Sequence, residues 1–444
     1  MNKKKVLAMI SRMPVWVNLL IMKLNRRPSL IFGDRYLEKY NDFFLNKSSN
    51  NFVNFVNFAL NNIDYYRRRY PCVEIKSLND FKKLVGTISK DDVLSHMELL
   101  TAKDTKGSDV CTTGGTSGKP LKLLLPKSRY ADELGALHAL WSRLGYNFSV
   151  RAVVRNERLD GRDYIVNPIT KEFIFDGFRS DPGYLDTIYH VMRKYNISYY
   201  HGYTSNAERF VAHLLLRKYD YSFLKGLITS SENFYDHQRA LFNKLVGVKH
   251  LNFYGHSEKL LIGGWCEEGG AYHFYSSYGY PELLDENNND ISEVNAIGEL
   301  VGSTNYNIYM PLIRYRTGDF AVKAPENCHA CGFHGLSVYK ILGRWKGERI
   351  YNKDGSFVST TALNLHNHIY EHIDGLQYCQ VENGSLEVRV VPGEGYNSKI
   401  ENELLNCIIK VLHSDAVVTI RRVKDVERLP NGKYLLLIGK SLNA

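Results

Sequence analysis

The chain has 444 residues, 44% of them hydrophobic and 23% charged, which is the balance of an ordinary globular protein too long for one typical core. Its 57 basic and 47 acidic residues leave a net charge of +10, modest for this length. That charge helps to recruit anionic ligands, but with no aromatic-plus-basic RNA-binding motif beside it, nucleic acid is not an expected partner. At the N-terminus, Met1-Asn2-Lys3-Lys4-Lys5 precedes an apolar patch from Met13 to Met22. The outline is that of a signal peptide, yet Arg12, Asn18 and Lys23 interrupt it and no small-residue cleavage site follows. It is also too short to span a bilayer. An amphipathic helix packed on the body is expected, with weak contact between the basic N-terminus and a membrane surface as the lesser alternative.

Further along, Thr112-Thr113-Gly114-Gly115-Thr116-Ser117-Gly118-Lys119-Pro120 crowds glycines, hydroxyls and a lysine into one turn. Backbone N–H groups, hydroxyls and an ammonium suit polyphosphate oxygens. The familiar phosphate loop places four residues between its first glycine and its Gly-Lys pair, and it opens a helix. Here three residues separate Gly114 from Gly118, and Pro120 leads into the apolar run Leu121-Lys122-Leu123-Leu124-Leu125, predicted to be a strand. The loop therefore lies between strands, and taken alone it reads more readily as a plain hairpin than as a phosphate site.

The middle of the chain alternates helix and strand. Leu185, Ile188, Met192 and Tyr195 mark a helix, and Ile197–His201 a strand. Ser205 and Glu208 predict a capping box opening a helix with Ala207, Phe210, Val211, Leu214 and Leu215 on its apolar face. Gly226–Thr229 and His250–Tyr254 are further strands, with a helix around Leu241, Phe242 and Leu245 between them. That rhythm predicts right-handed βαβ units and parallel pairing. Ligands bind beyond the carboxyl ends of such strands. Two polar clusters fall there: Ser230-Ser231-Glu232, and Gly255-His256-Ser257-Glu258. From about residue 265 short strands and turns take over, including Glu299–Gly302. A composition shift near Gly343 marks a boundary. The remainder reads as a small α+β domain: strand Leu386–Val390, helix Ile400–Leu412, strand Val417–Ile420.

Seven cysteines at irregular spacing do not form a disulfide framework. Cys328-His329-Ala330-Cys331-Gly332 has the spacing of half a zinc knuckle, and structural zinc takes four ligands. Cys266 and His273 are candidates for the other pair, with His329 and His334 as rivals; two buried thiols beside two unrelated residues is the plainer alternative.

Four more motifs follow the glycine loop in order: Tyr254-Gly255-His256-Ser257-Glu258, Arg314-Tyr315-Arg316-Thr317-Gly318-Asp319, Ile341-Leu342-Gly343-Arg344, and Leu429-Pro430-Asn431-Gly432-Lys433. Each is weak alone. Together they resemble the adenylate-forming superfamily of acyl-CoA synthetases and luciferases. Ile63-Asp64-Tyr65-Tyr66-Arg67, the Thr-Gly-Gly-Thr-Ser-Gly loop and Pro311–Asp319 are most similar to the phenylacetate–CoA ligase branch, including its homologues from capsule polysaccharide loci.

The resemblance implies an α/β fold: a large adenylation domain over 1–343 with mainly parallel sheets flanked by helices, and a small mobile α+β lid over 344–444. It implies ATP-dependent activation of a carboxylic acid as an acyl-adenylate, then transfer to a thiol, with coenzyme A the first choice. The alternatives are transfer to an amine in surface polysaccharide biosynthesis, or a catalytically silent scaffold. By the same resemblance Thr113, Gly114, Gly115, Thr116, Ser117, Gly118 and Lys119 hold phosphate. Ser231, Glu232, Tyr254, Gly255, Ser257, Asp319 and Arg344 bind the nucleotide, and Glu258 holds Mg²⁺. Lys433 is catalytic and Lys346 is the hinge. His256 is expected to shape the acyl pocket, with other lining residues from Tyr130–Tyr146. Some relatives carry cysteine and histidine at positions matching Cys266, His273, Cys328 and Cys331, which implies a structural Zn²⁺. The partners implied are a small carboxylate and a nucleotide, acting on a cytoplasmic monomer or homodimer.

Overall fold

Helices form first, where apolar residues recur at three- and four-residue spacing: α1 (Val15–Leu24), α2 (Pro28–Phe32), α3 (Asp34–Phe44), α4 (Phe52–Asn62), α5 (Asp64–Arg69), α6 (Leu78–Leu84), α7 (Lys90–Ser95) and α8 (Met97–Leu100). The computed structural model describes residues 13–25, 27–47, 51–112, 121–155, 159, 161–177, 179, 181–344, 349–353, 357–359, 369, 372–409, 412, 415–428 and 437–439. A hairpin follows, β1 (Ser108–Thr112) antiparallel to β2 (Lys122–Pro126), with Thr112 opposite Lys122. The residues between them thus join two paired strands and do not open a helix. Thr113–Pro120 themselves lie outside the described residues.

Next come α9 (Arg129–Trp141), β3 (Arg151–Arg155), β4 (Ile165–Asn167), β5 (Glu172–Asp176), α10 (Pro182–Lys194), β6 (Tyr199–Tyr203), α11 (Thr204–Leu216), β7 (Gly226–Ser230), α12 (Asp236–Phe242) and β8 (Lys249–Gly255). Shorter connections then link β9 (Ile262–Cys266), β10 (Ala271–Phe274), β11 (Gly279–Leu284), β12 (Ile297–Thr304), β13 (Tyr315–Lys323) and β14 (Ser337–Arg344). One twelve-stranded sheet runs β11-β12-β13-β14-β10-β9-β8-β7-β6-β3-β5-β4. Parallel pairing occupies the block β5-β3-β6-β7-β8, where helices connect β5 to β6, β6 to β7 and β7 to β8, and β4 lies between β3 and β5 in the chain. β8–β9, β9–β10 and β11–β12 are antiparallel neighbours in the chain, whereas the antiparallel pair β10–β14 joins segments remote in the sequence.

Each face of the parallel block is covered. On one, Leu185, Ile188 and Met192 of α10 and Ala207, Phe210, Val211 and Leu214 of α11 pack on Tyr200 and Leu227. A side chain as fully buried as Phe210 contributes about 1.5–3 kcal/mol. On the other, Leu140 and Trp141 of α9 cover Tyr199, Ile228 and Leu251, with Phe43 of α3 behind them. α3 crosses α9 at Gly135, where a Cβ would lie 2.5 Å from the Tyr36 carbonyl oxygen.

The expected capping box at Ser205 and Glu208 does not form. The helix begins at Thr204, and the Glu232 carboxylate accepts from both the Ser205 N–H (2.8 Å) and its hydroxyl (3.1 Å). An anion at a helix N-terminus is the stronger partner. Glu208 instead accepts from the Gln238 amide at 2.6 Å.

The chain separates into two compact units, the first made of most of the chain up to Lys340 and the second of the chain from Ile341 onward together with the short stretch Gly318–Phe320. The second holds β15 (Arg349–Tyr351), β16 (Phe357–Ser359), β17 (Ile373–Gln380), β18 (Ser385–Pro392), α13 (Ser398–Ile409), β19 (Val417–Arg422) and β20 (Leu437–Gly439). Its four-stranded sheet runs β19-β18-β17-β20, and Leu404 and Ile408 of α13 share a core with Tyr378, Val388 and Val390.

Candidate active site and metal centre

The two polar clusters leave the carboxyl ends of neighbouring parallel strands, Ser230–Glu232 from β7 and Gly255–Glu258 from β8. Ser231 is exposed and takes a φ of +68°, in the left-handed region. Glu232 is the residue that holds the start of α11. Tyr254 is half-buried, its ring 5.8 Å from that of His256 and 5.7 Å from that of Phe274. Gly255 is exposed and Ser257 partly buried in the same turn.

Glu258 is the best-oriented group of the turn. The Leu261 backbone N–H donates to His256 Nε2 at 3.1 Å, so that nitrogen carries no proton in the neutral ring. His256 Nδ1 therefore donates, and its partner at 2.9 Å is Glu258 Oε2. The Tyr315 hydroxyl donates to Glu258 Oε1 at 3.5 Å. These bonds orient the carboxylate, the ligand type that a hard cation prefers. His256 thus acts as the holder of Glu258, a contact its place in the motif does not disclose.

The motif from Arg314 to Asp319 divides between structure and site. Arg314, at a φ of +51°, is buried and forks onto Glu282 at 3.2 and 3.0 Å while donating to the carbonyls of Lys82 and Val85 at 3.0 and 2.7 Å. Arg316 pairs with Glu299 and donates to the Asp285 carbonyl at 2.8 Å. Both arginines therefore pin the strand. Asp319 lies farther along β13, partly buried, after Gly318 breaks the pleat with a φ of +76°. Arg344 closes β14, its side chain outside the described residues, as are Lys346 and Lys433.

The N-terminal tyrosine pair has a defined role. The buried Tyr66 hydroxyl donates to the Pro311 carbonyl and accepts the Ile313 N–H, each at 3.0 Å. Tyr66→Phe leaves both backbone groups without that partner and is expected to cost about 1–3 kcal/mol, read from urea denaturation. A variant as stable as the parent would remove Tyr66 from this account.

His201 was not singled out by sequence, since a histidine inside a predicted strand has no distinguishing spacing. Its ring lies 5.0 Å from that of Trp141 and 6.2 Å from that of Phe253, and its Nδ1 is buried without a hydrogen-bond partner. Burial first, then the charges of Arg151 and Arg155, push its pKa down to about 3. As pH falls below about 6.5 the unfolded chain takes a proton that the folded chain refuses, so stability declines between those values. His201→Phe is expected to remove about 1–2 kcal/mol of the stability lost between pH 7 and pH 5, measured by denaturant melts at both pH values. An unchanged pH dependence would show that the ring is already protonated or solvated.

The four candidate metal ligands come together as a unit. The ligating atoms of Cys266, His273, Cys328 and Cys331 all lie within 4.8 Å of one another. The rival His334 is engaged with Asn327, its Nδ1 2.7 Å from Oδ1. Within the cluster Cys331 Sγ is 3.3 Å from His273 Nε2. His273 is fully buried between β9 and β14, its ring stacked 4.5 Å from Phe333. The Ser337 hydroxyl donates to the Gly335 carbonyl at 3.3 Å, which leaves its oxygen to accept His273 Nδ1–H at 2.9 Å. Nε2 then faces the thiols with its lone pair, the form a metal requires. Burial holds the His273 pKa down to about 4, keeping the ring neutral. Burial, with Cys331 and Cys328 alongside, pushes the Cys266 thiol up to about 12. A Cβ on Gly269 would lie 2.5 Å from Cys328 Sγ and 3.3 Å from Cys266 Sγ, so glycine keeps the space between the thiols open. Three thiols and one imidazole in tetrahedral reach form the donor set that zinc selects.

No family profile matches the chain. A stretch of 102 residues, 22% of the chain, is 35% identical to the phenylacetate-coenzyme A ligase of Thermus thermophilus and spans 23% of that protein. Among solved structures, 2-hydroxyisobutyryl-CoA ligase in the postadenylation state with R3-HIB-AMP is similar over 92% of each chain, at 16% identity and a TM-score of 0.64. The anthranilate CoA ligase AuaEII with anthranoyl-AMP is similar over 73% of this chain and 65% of its own, at 12% identity and a TM-score of 0.50. At these identities the likeness is one of fold: a large mixed sheet flanked by helices, followed by a small sheet unit.

Proposed function

We propose that the chain is a member of the adenylate-forming superfamily, in its phenylacetate–CoA ligase branch, and that it activates a carboxylic acid with ATP and passes the acyl group to coenzyme A. A carboxylate oxygen attacks the α-phosphorus, the bond to the bridging oxygen breaks, and pyrophosphate leaves. The thiol sulfur then attacks the acyl carbonyl, its proton is lost, and AMP departs. The reading is carried by the convergence of Tyr254, His256, Glu258 and Tyr315 beyond the parallel strands. Such a reaction needs charge neutralisation more than covalent help.

Glu258 is the residue placed to hold Mg²⁺, which supplies charge neutralisation on the phosphates when bound. Thr113–Lys119 would cradle the β- and γ-phosphates, and Tyr254 would stack on adenine beside Ser231–Glu232. Asp319 would receive the ribose hydroxyls, with Arg344 assisting. Lys433 would meet the charge that develops on the α-phosphate and the bridging oxygen. Trp141, His201 and Phe253, which cluster on the α9 face of the sheet, are candidates for the acyl pocket. The hinge at Lys346 would divide an adenylation domain, 1–343, from a lid, 344–444. The Cys266–His273–Cys328–Cys331 centre would hold a structural Zn²⁺, clamping β9, β10 and the loop before β14. The cytoplasm, where ATP and coenzyme A are supplied, is the proposed site of action.

Acid-dependent exchange of labelled pyrophosphate into ATP, screened over a panel of carboxylic acids, tests the reading. Exchange with one acid class, followed by thioester formation when coenzyme A is added, is the expected result. Folded protein that exchanges with none of them would count against adenylation.

A further inference from the structure

α1 carries apolar residues on both its packed and its exposed faces, with Asn18 buried and Lys23 exposed among them. Val15, Leu19 and Met22 pack against Val166 of β4 and Phe173 of β5, and the Asn25 amide donates to the Ile169 carbonyl at 2.9 Å. One face is thus the body-packed helix expected from sequence. The opposite face carries Trp16, Leu20 and Leu24 at a four-residue spacing, 69, 52 and 76% exposed. α2 adds Leu30 and Ile31, 82 and 40% exposed. An exposed apolar stripe of this kind marks an interaction surface.

Charge says what covers it. The first 33 residues contain seven basic side chains (Lys3, Lys4, Lys5, Arg12, Lys23, Arg26 and Arg27) and no acidic one. Lys23 and Arg27 are exposed beside the stripe. Two copies meeting through this surface would bring like charges together, which is costly. An anionic bilayer supplies both the apolar phase and the countercharge.

We propose that α1 lies flat on an anionic lipid surface. Trp16, Leu20 and Leu24 enter the boundary between headgroups and acyl chains, and Lys23 and Arg27 meet the headgroups. Among the described residues no helix is long and apolar enough to cross a membrane, so this attachment is peripheral. The apolar stripe and the basic cluster are the two signals that stable surface binding requires. This surface is independent of the reaction proposed above.

The test is flotation of the full chain with vesicles of phosphatidylcholine alone, or with about one third phosphatidylglycerol. Binding is expected on the anionic vesicles, weakened by high salt. Leu20→Asp should weaken it at least about ten-fold, and Lys23→Gln and Arg27→Gln about five-fold each. Circular dichroism checks that each variant is folded, and Leu24→Ser gives a milder second probe. Brominated acyl chains should quench Trp16, while the buried Trp141 and Trp265 keep their emission. Absent binding to anionic vesicles, or binding that Leu20→Asp, Leu24→Ser and the glutamine variants leave unchanged, overturns the proposal. So does a dimer in sedimentation that Leu20→Asp dissolves, which would give the stripe to a second copy.

Discussion

Replacing Glu258 by alanine is expected to lower pyrophosphate exchange about 10³-fold while the fold survives. The carboxylate is held by His256 Nδ1–H at 2.9 Å and by the Tyr315 hydroxyl at 3.5 Å, so its position is set before any ligand arrives. In the proposed role, removing it would take away an oxygen ligand for the cation on the phosphates. Glu258→Gln separates charge from shape: it keeps the volume and an acceptor but loses the anion, and should be nearly as inactive. Near-normal exchange in the glutamine variant would sink the assignment. His256→Ala should cost less, about ten-fold, because it acts only through Glu258. Lys433→Ala should lose exchange while ATP affinity, measured by calorimetry, stays close to that of the parent. Loss of both together in that variant would point to a binding role for the lysine.

Cys266→Ser is expected to yield protein without zinc and to lower the melting temperature by about 10 °C. Losing a metal centre costs about 3–5 kcal/mol, and each kcal/mol lowers the melting temperature by a few degrees in a domain of this size. Cys266 ends β9 and His273 lies on β10, whereas Cys328 and Cys331 come from the loop before β14. The centre thus ties a hairpin to a loop more than fifty residues later in the chain. Metal analysis of protein purified without chelator should find about one zinc per chain in the parent. A metal-free parent with an unchanged Cys266→Ser melt would make the cluster a packing feature.

The parallel half of the large sheet was legible because helix and strand there differ in period. Leu185, Ile188 and Met192 repeat at helical spacing, and the intervening strands are short apolar runs. The antiparallel half was not, because its partners are remote: Tyr272 of β10 pairs with Val338 of β14. The same limit applies to side chains. Ser205 and Glu208 have the spacing of a capping box, but the acceptor that reaches Ser205 is Glu232, from another strand end. His256 could be placed beside the site but not oriented, since its tautomer is set by the Leu261 N–H. The cluster of Cys266, His273, Cys328 and Cys331 was readable because thiol pairs at knuckle spacing are rare, and the structure brings all four side chains together.

Tyr66 also bears on how the chain is made. Its hydroxyl partners are 245 and 247 residues downstream. At about 5–20 residues per second, a ribosome emits Tyr66 roughly 12–50 s before Pro311 and Ile313 exist to receive it. During that interval the N-terminal helices have no finished sheet to bury against. A nascent chain halted before Pro311 should therefore stay open to protease in α4 and α5, and one released after Ile313 should close.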